Sequence, residues 1–71
     1  MIKNDQELQV TLERIDYFQR QVKRLREVEK DAANYRLSVK GYLAELDRMH
    51  LEVRDFLWLH PTELNQVAAP V

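Results

Sequence analysis

Two histidines are the residues of this sequence that come closest to metal or acid–base chemistry. Asp47 and His50 have the i, i+3 spacing that carboxylate–histidine metal sites in helical bundles use. Such a site also needs carboxylates from other helices, and the inward positions of the first half of the chain are apolar or Thr11, so we predict no metal site. His60 precedes a proline, where capping of a helix C-terminus or simple solvation is the better interpretation.

The hydroxyl side chains do not complete a catalytic centre. A hydrolase needs a nucleophile beside a base and an orienting group, and Ser38, Thr11 and Thr62 have no such neighbours in the sequence. There is no glycine-rich phosphate loop, and the absence of cysteine excludes thiolate metal sites and disulfides. We therefore predict that the chain is not an enzyme and has no cofactor.

The most unusual stretch is a run of four apolar residues, Phe56, Leu57, Trp58 and Leu59. By helical spacing, Phe56 and Leu57 face a neighbouring helix, whereas Trp58 points to the opposite side. Tryptophan is the residue most enriched at binding hot spots. Two interpretations stay open: Trp58 covers the end of a bundle, under the tail or across a dimer, or the four residues form a partner-binding anchor.

A basic stretch occupies residues 20–40, with seven basic and three acidic side chains. Its candidate phosphate contacts are Arg20, Arg24 and Lys30. Acidic residues interleave with the basic ones, and the chain as a whole has a net charge of −1. A solvated charged face is therefore favoured over direct binding to nucleic acid.

Size and composition indicate a small helical domain that needs help to stay folded. The chain has 71 residues, of which 45% are hydrophobic and 32% charged, with a single glycine. A core of this size contributes only about 3–5 kcal/mol, and without cysteine the remaining stabilising device is oligomerisation. No apolar run approaches ~18 residues and no basic-then-apolar leader begins the chain, so we predict no membrane contact and a cytoplasmic location.

Apolar residues recur at heptad spacing in two long runs, which predicts a hairpin over residues 1–64. The first helix spans about 4–30 and begins at a capping-box-like pair, Asn4 and Glu7. The turn lies at about 31–36, and the second helix spans about 37–60 and is ended by Pro61. Gly41 inside the second run indicates close approach of the neighbouring helix or a local kink. Residues 65–71 are expected to be a mobile tail.

Each apolar stripe is wider than one neighbouring helix covers, so the predicted fold is all-α: an antiparallel two-helix hairpin that dimerises into an antiparallel four-helix bundle. Residues 20–40 have a net charge of +4, while residues 1–19 and 41–71 have −2 and −3. Two hairpins side by side in opposite orientations therefore bring opposite charges together. The predicted dimer core comprises Leu12, Ile15, Phe18, Val22, Leu43, Leu46, Met49 and Val53.

The opening MIKNDQELQVTLERIDYFQRQV resembles the N-terminal helix of short bacterial proteins associated with toxin–antitoxin loci. In those proteins a start of the type Met-Ile-x-Asn-Glu-x-(Gln/Glu) leads into a long amphipathic helix, and in helix-turn-helix antitoxins such a hairpin precedes a DNA-reading domain. The second half, GYLAELDRMHLEVRDFLWLHPTEL, resembles small stand-alone bacterial proteins that lie near toxin-like genes. The resemblance covers residues 1–64, and its most specific part is the Met-Ile-Lys-Asn start.

The sequence thus predicts a non-catalytic homodimer, antitoxin-like or an accessory partner of a toxin, which contacts its partner by helix-in-groove packing. The chain stops where the DNA-reading domain of the antitoxins would begin, so we expect protein–protein contacts. The alternative is a nucleic-acid-associated regulator that uses the basic hairpin tip, or a fragment of a longer repressor.

Overall fold

A computed structural model describes residues 1–63, which form two long helices joined by a short turn. Helix α1 spans Asp5–Val28 and helix α2 spans Ala32–Trp58. The helices pack side by side in opposite directions, in an elongated molecule of 55 × 16 × 16 Å. The described part of the chain contains no strand. This confirms the predicted all-α helical hairpin.

Helix α1 begins where the sequence predicts. The side chain of Asn4 accepts a hydrogen bond from the backbone N–H of Glu7 at 2.8 Å, which satisfies one of the free donors of the first turn. The Glu7 carboxylate in turn accepts from the backbone N–H of Lys3 at 2.8 Å, one residue before the usual capping-box donor. This pair of bonds fixes the direction in which the first three residues enter the helix.

The connection between the helices is shorter than predicted and comes earlier in the chain. Helix α1 ends at Val28, and only residues 29–31 separate it from α2, so the turn predicted at 31–36 is corrected. Asp31 is the N-cap of α2, because its side chain accepts from the backbone N–H of Asn34 at 2.9 Å. Ala32 and Ala33 are strong helix formers, so nothing delays the helix until residue 37.

Helix α2 ends at Trp58, two residues before the predicted boundary. Leu59 is already extended, with φ −86° and ψ 133°, and its N–H bonds to the carbonyl of Phe56 at 3.2 Å. Pro61 disfavours helical geometry at His60, which explains a stop close to this position. A new turn follows, in which the N–H of Glu63 donates to the carbonyl of His60 at 2.8 Å. The predicted tail, 65–71, lies outside the described residues.

The core of the hairpin is a thin seam between the two helices. Ile15 of α1 is buried against Leu46 and Met49 of α2, and Phe18, Val22 and Val53 pack against this cluster. The rings of Phe18 and Tyr42 meet edge to face at 5.6 Å between centroids. Ile2, Val39 and Phe56 are the other buried apolar residues. No polar or charged residue of the described chain is buried, so the buried part of the seam consists of apolar side chains.

Gly41 does not mark close approach of α1. A methyl group added at its Cβ position would meet no atom within 4 Å, and the residue is exposed. The glycine therefore lies on the open side of α2, and the predicted close approach of the neighbouring helix is wrong. Helix α2 continues through it without interruption from Ala32 to Trp58.

Candidate protein-binding surfaces

The histidines lie on the surface, away from any cluster of ligands. Asp47 and His50 are both exposed on α2. Within residues 1–63, no group of three or more histidine, cysteine, aspartate or glutamate side chains is arranged to hold a metal ion. His60 is engaged locally, because its Nδ1 accepts from the backbone N–H of Thr62 at 3.2 Å and lies 2.9 Å from the Thr62 hydroxyl. These contacts give His60 a role in shaping its own turn.

The open end of the hairpin, opposite the turn, carries an apolar groove of about 390 Å³. The first residues of the chain form one wall: Ile2 is 5% exposed, and the Met1 ammonium group lies 3.0 Å from the Glu52 carboxylate. The other wall is the end of α2. The residues that line the groove are Met1, Ile2, Glu52, Asp55, Phe56, Trp58 and Leu59.

The four residues predicted to bind a partner divide between the inside and the outside of this end. Phe56 is buried in the hairpin and Leu59 is half-buried, so both support the groove from within. Leu57 and Trp58 are exposed, and Trp58 retains 85% of its accessible surface. The structure therefore leaves two of the four, Leu57 and Trp58, with most of their apolar surface facing solvent.

The residues predicted as a dimer core also divide into two groups. Six of them lie in the seam of the hairpin itself: Ile15, Phe18, Val22, Leu46, Met49 and Val53. Leu12 and Leu43 remain 41% and 45% exposed, because they lie at the edge of the seam. Leu43 shares a heptad position with Leu57, so these two residues continue one edge of α2.

The candidate phosphate contacts are spread over the basic end and do not converge. Arg20 forms an ion pair with Asp16 at 3.1 Å, one helical turn earlier. Arg24 lines a groove of about 400 Å³ between the helices, whereas Lys30 lines a separate one of about 300 Å³ beside the turn. One phosphate is therefore not held by all three side chains.

An ion-pair chain runs along one side of α2 toward the open end. Arg48 lies 2.6 Å from Glu45 and 2.5 Å from Glu52, and Glu52 also pairs with the Met1 ammonium group. The hydrogen bond from Arg48 lowers the pKa of Glu45, and the same bond raises the pKa of Arg48. Because these groups are accessible to water, their contribution to stability is small. The chain of pairs mainly fixes where the N-terminus lies.

A second apolar stripe, which the sequence reading missed, lies on the side of α2 that faces away from α1. We call it the outer stripe; it consists of Leu37, Ala44, Leu51 and Trp58. All four are exposed, Leu37 by 75% and Leu51 by 51%. The signal was present as a seven-residue repeat, but the stronger inner repeat through Val39, Leu46 and Val53 masked it.

Comparison with known proteins provides no relative for this chain: no family model, curated protein or solved structure matches it. Within residues 1–63, neither helix combines the length and the apolar content that crossing a membrane requires.

Proposed function

We propose that this chain is a non-catalytic protein–protein interaction module that works as a homodimer of hairpins. The observation that carries the proposal is the imbalance between core and surface. Within residues 1–63, six apolar residues are buried, while ten large apolar side chains remain exposed, among them Leu12, Leu43, Leu51 and Trp58. Single exposed apolar residues are ordinary, but exposed residues aligned along a helix are typical of a surface that another helix covers.

The accessible area supports the same proposal. The chain exposes 6043 Å². A compact monomer of this size would expose about 4,700 Å². The excess follows in part from the elongated shape of the molecule, 55 × 16 × 16 Å, and an interface of standard size covers ~800 Å² on each partner. Association with a second copy would bury apolar surface that the hairpin alone leaves in water.

The opposite orientation of the two copies follows from charge. The turn end lies within the stretch of net charge +4, and the open end combines the two stretches of net charge −2 and −3. A side-by-side dimer with the turn of one copy at the open end of the other joins opposite charges, and the resulting assembly has four helices, each antiparallel to its neighbours.

An antitoxin-like or accessory role toward a toxin-like protein is the more specific part of the proposal. Its support is the resemblance of the Met-Ile-Lys-Asn start and of the second half to short proteins from toxin–antitoxin loci. The open end, with Leu57 and Trp58 exposed beside an apolar groove, offers a contact of the helix-in-groove kind.

The decisive experiment is the solution mass of the chain by light scattering over a dilution series, with circular dichroism on the same samples. We expect a dimer at high concentration that loses helicity as it dissociates. A chain that stays monomeric and helical at every concentration would contradict self-association and leave only binding to a different protein. A monomer with little helix would contradict the homodimer as well.

The nucleic-acid alternative receives less support. Arg20 is paired with Asp16, and Arg24 and Lys30 line different grooves. If the basic end binds nucleic acid, Arg24→Glu with Lys30→Glu should abolish a salt-sensitive binding that Trp58→Ala leaves intact. Under the interaction-module proposal, Trp58→Ala is the substitution that removes partner binding.

A further inference from the structure

The outer stripe is an apolar surface of α2 that no other part of the described hairpin covers. Leu37, Ala44, Leu51 and Trp58 follow one another at intervals of seven residues over about 32 Å of α2. A seven-residue apolar repeat stays on one side of a helix that winds slightly around a neighbour. Helix α1 already occupies the other side of α2, where Leu46, Met49 and Phe56 are buried. The outer stripe thus keeps to one side of α2, with charged residues at the intermediate positions, and α1 does not cover it.

We propose, on the basis of the self-association put forward above, that the outer stripe is where a second copy of this chain docks, α2 against α2 in opposite directions. A two-fold dimer uses the same patch on both copies, so each facing pair occurs twice. The centre of the stripe falls between Ala44 and Leu51. About that centre, Leu37 of one copy faces Trp58 of the other, and Ala44 faces Leu51.

The charged residues beside the stripe match the same register. Lys40 lies three residues after Leu37 and four before Ala44, and Asp55 lies four residues after Leu51 and three before Trp58. The two-fold axis that pairs the apolar residues therefore sets Lys40 of one copy opposite Asp55 of the other. Both side chains are exposed, and the Asp55 carboxylate also lies 3.2 Å from the Arg54 guanidinium of its own copy.

A second charge pair lies at the centre of the stripe. Asp47 follows Ala44 by three residues, and Arg48 precedes Leu51 by three. The axis sets Asp47 of one copy opposite Arg48 of the other, again twice. Both facing pairs are thus of opposite sign in the antiparallel register, while Arg54, also beside the stripe, faces Gly41, and Arg48 is in addition paired with Glu45 and Glu52 of its own copy.

A parallel arrangement gives the reverse result. It would place each of these charges beside its own counterpart, so that Asp47 meets Asp47 and Lys40 meets Lys40. Like charges directly opposed are destabilising, and this disfavours the parallel dimer. The antiparallel orientation also places the basic turn end of one copy beside the acidic open end of the other. The pattern of charge therefore fits a second copy of this chain in opposite orientation.

Charge exchange tests the register. Lys40 and Asp55 lie about 22 Å apart on one helix, so they do not interact within one copy. Lys40→Glu alone sets acid against acid twice in the dimer, and Asp55→Lys alone sets base against base twice. Each variant should weaken dimerisation by about tenfold. An equimolar mixture of the two variants restores both facing pairs as opposite charges, so the mixed dimer should form nearly as tightly as the original chain.

Apolar substitutions test the surface. Leu51→Ala and Trp58→Ala should each weaken dimerisation by about tenfold or more. Leu43→Ala tests the competing interface, because Leu43 is a comparably accessible leucine of α2 that lies at the edge of the seam and outside the outer stripe. All three substitutions remove exposed side chains, so circular dichroism should report unchanged helicity at the highest concentration. The dissociation constants come from light scattering, and Trp58, the single tryptophan of the chain, reports the same transition by fluorescence in every variant that retains it.

Three outcomes would overturn the assignment, and they differ from one another. A mixture of Lys40→Glu and Asp55→Lys that dimerises no better than either variant alone rules out this register. Weakening by Leu43→Ala with no effect of Leu51→Ala or Trp58→Ala moves the dimer interface to the seam edge, while self-association itself stands. An original chain that is monomeric at every concentration removes both the outer-stripe dimer and the homodimer of the proposed function.

Discussion

At the scale of single residues, Ile2 holds the open end of the hairpin together. Its side chain is buried, although it precedes α1 and has no helical position of its own. The Met1 ammonium group on one side pairs with Glu52, and the Lys3 N–H on the other donates to Glu7. Residues on both sides of Ile2 are thus tied down, and its side chain forms one wall of the groove that ends at Trp58.

Ile2→Ala should therefore destabilise the hairpin even though it lies outside both helices. Removing three buried carbons and leaving partial space costs about 2 kcal/mol, a large share of the stability of so small a domain. The measurement is urea unfolding followed by circular dichroism. Lys3→Ala is the control, because its exposed side chain is lost while its backbone bond to Glu7 remains. Equal unfolding midpoints for the two variants would contradict a structural role for Ile2.

The Arg48–Glu45 pair couples the ionisation of Glu45 to folding. Because the hydrogen bond from Arg48 lowers the pKa of Glu45 in the folded chain, folding favours its charged form. The stabilisation is present above the ordinary pKa of a glutamate and is lost as the pH falls through the lower, folded value. Stability of the original chain should therefore decline more steeply with acid than that of Glu45→Gln.

The check is a series of thermal unfolding curves between about pH 3 and pH 7, the interval that brackets the titration of a glutamate. Glu27→Gln serves as the control, since Glu27 is an exposed residue of α1. We expect a small difference, because the pair is accessible to water. Identical pH profiles for the original chain and Glu45→Gln, within the scatter of the control, would show that the Arg48 contact does not persist in solution.

At the scale of the helices, the apolar periodicity determines which faces meet. The inner heptad residues predicted from the sequence include Ile15, Leu46 and Met49, which the structure buries together. Periodicity works here because both helices are long and uninterrupted. The periodicity does not predict the burial of Ile2, because that burial depends on the path of the chain before the helix. The sequence pattern also does not decide where α2 begins, because Asp31 and Asn34 are both good N-cap residues. In the folded chain the N-cap is Asp31.

The candidate surfaces were less accessible to sequence reasoning than the core. The apolar run 56–59 predicts that Phe56 binds a partner, but Phe56 is buried in the seam of the hairpin. Of the four residues in the run, only Leu57 and Trp58 are exposed. The outer stripe has one apolar residue in seven, with charged residues between, and such a pattern is weak unless the other face of the helix is known to be occupied.

Gly41 leads to a prediction about α2. A glycine inside a helix loses more conformational freedom on folding than alanine, and a methyl group at this position would meet no atom. Gly41→Ala should therefore stabilise the hairpin by about 0.5–1 kcal/mol. Chemical unfolding of the original chain and the variant at one matched protein concentration measures this directly. Ser38→Ala, also at an exposed position of α2, is the comparison for a change in side chain without a change in backbone freedom. A loss of stability in Gly41→Ala would mean that a neighbour approaches there.

At the scale of the whole molecule, charge is separated along the long axis. The basic turn end and the acidic open end make the proposed antiparallel dimer sensitive to salt, because ions screen charges on the surface over about 10 Å at 0.1 M and 3 Å at 1 M. Raising the salt concentration over this range should weaken dimerisation several-fold. The double variant Lys40→Gln with Asp55→Asn should show a flatter dependence. A dimer that tightens steadily with salt would indicate an association driven by apolar contact without the charge pairs.

The three-residue turn also sets the order in which the hairpin assembles. Residues that meet beside the turn are close in sequence, whereas Ile2 and the end of α2 belong to opposite ends of the chain. Closing a short loop loses less entropy than closing a long one, so the helices should pair first near Asp31 and join last at Ile2 and Phe56. On opening, the sequence of events is reversed, and amide hydrogens near the open end should exchange with solvent through the smallest fluctuations. A partner bound at the end that carries Trp58 would therefore stabilise the hairpin most. It would hold the two helices together at the place where their separation begins.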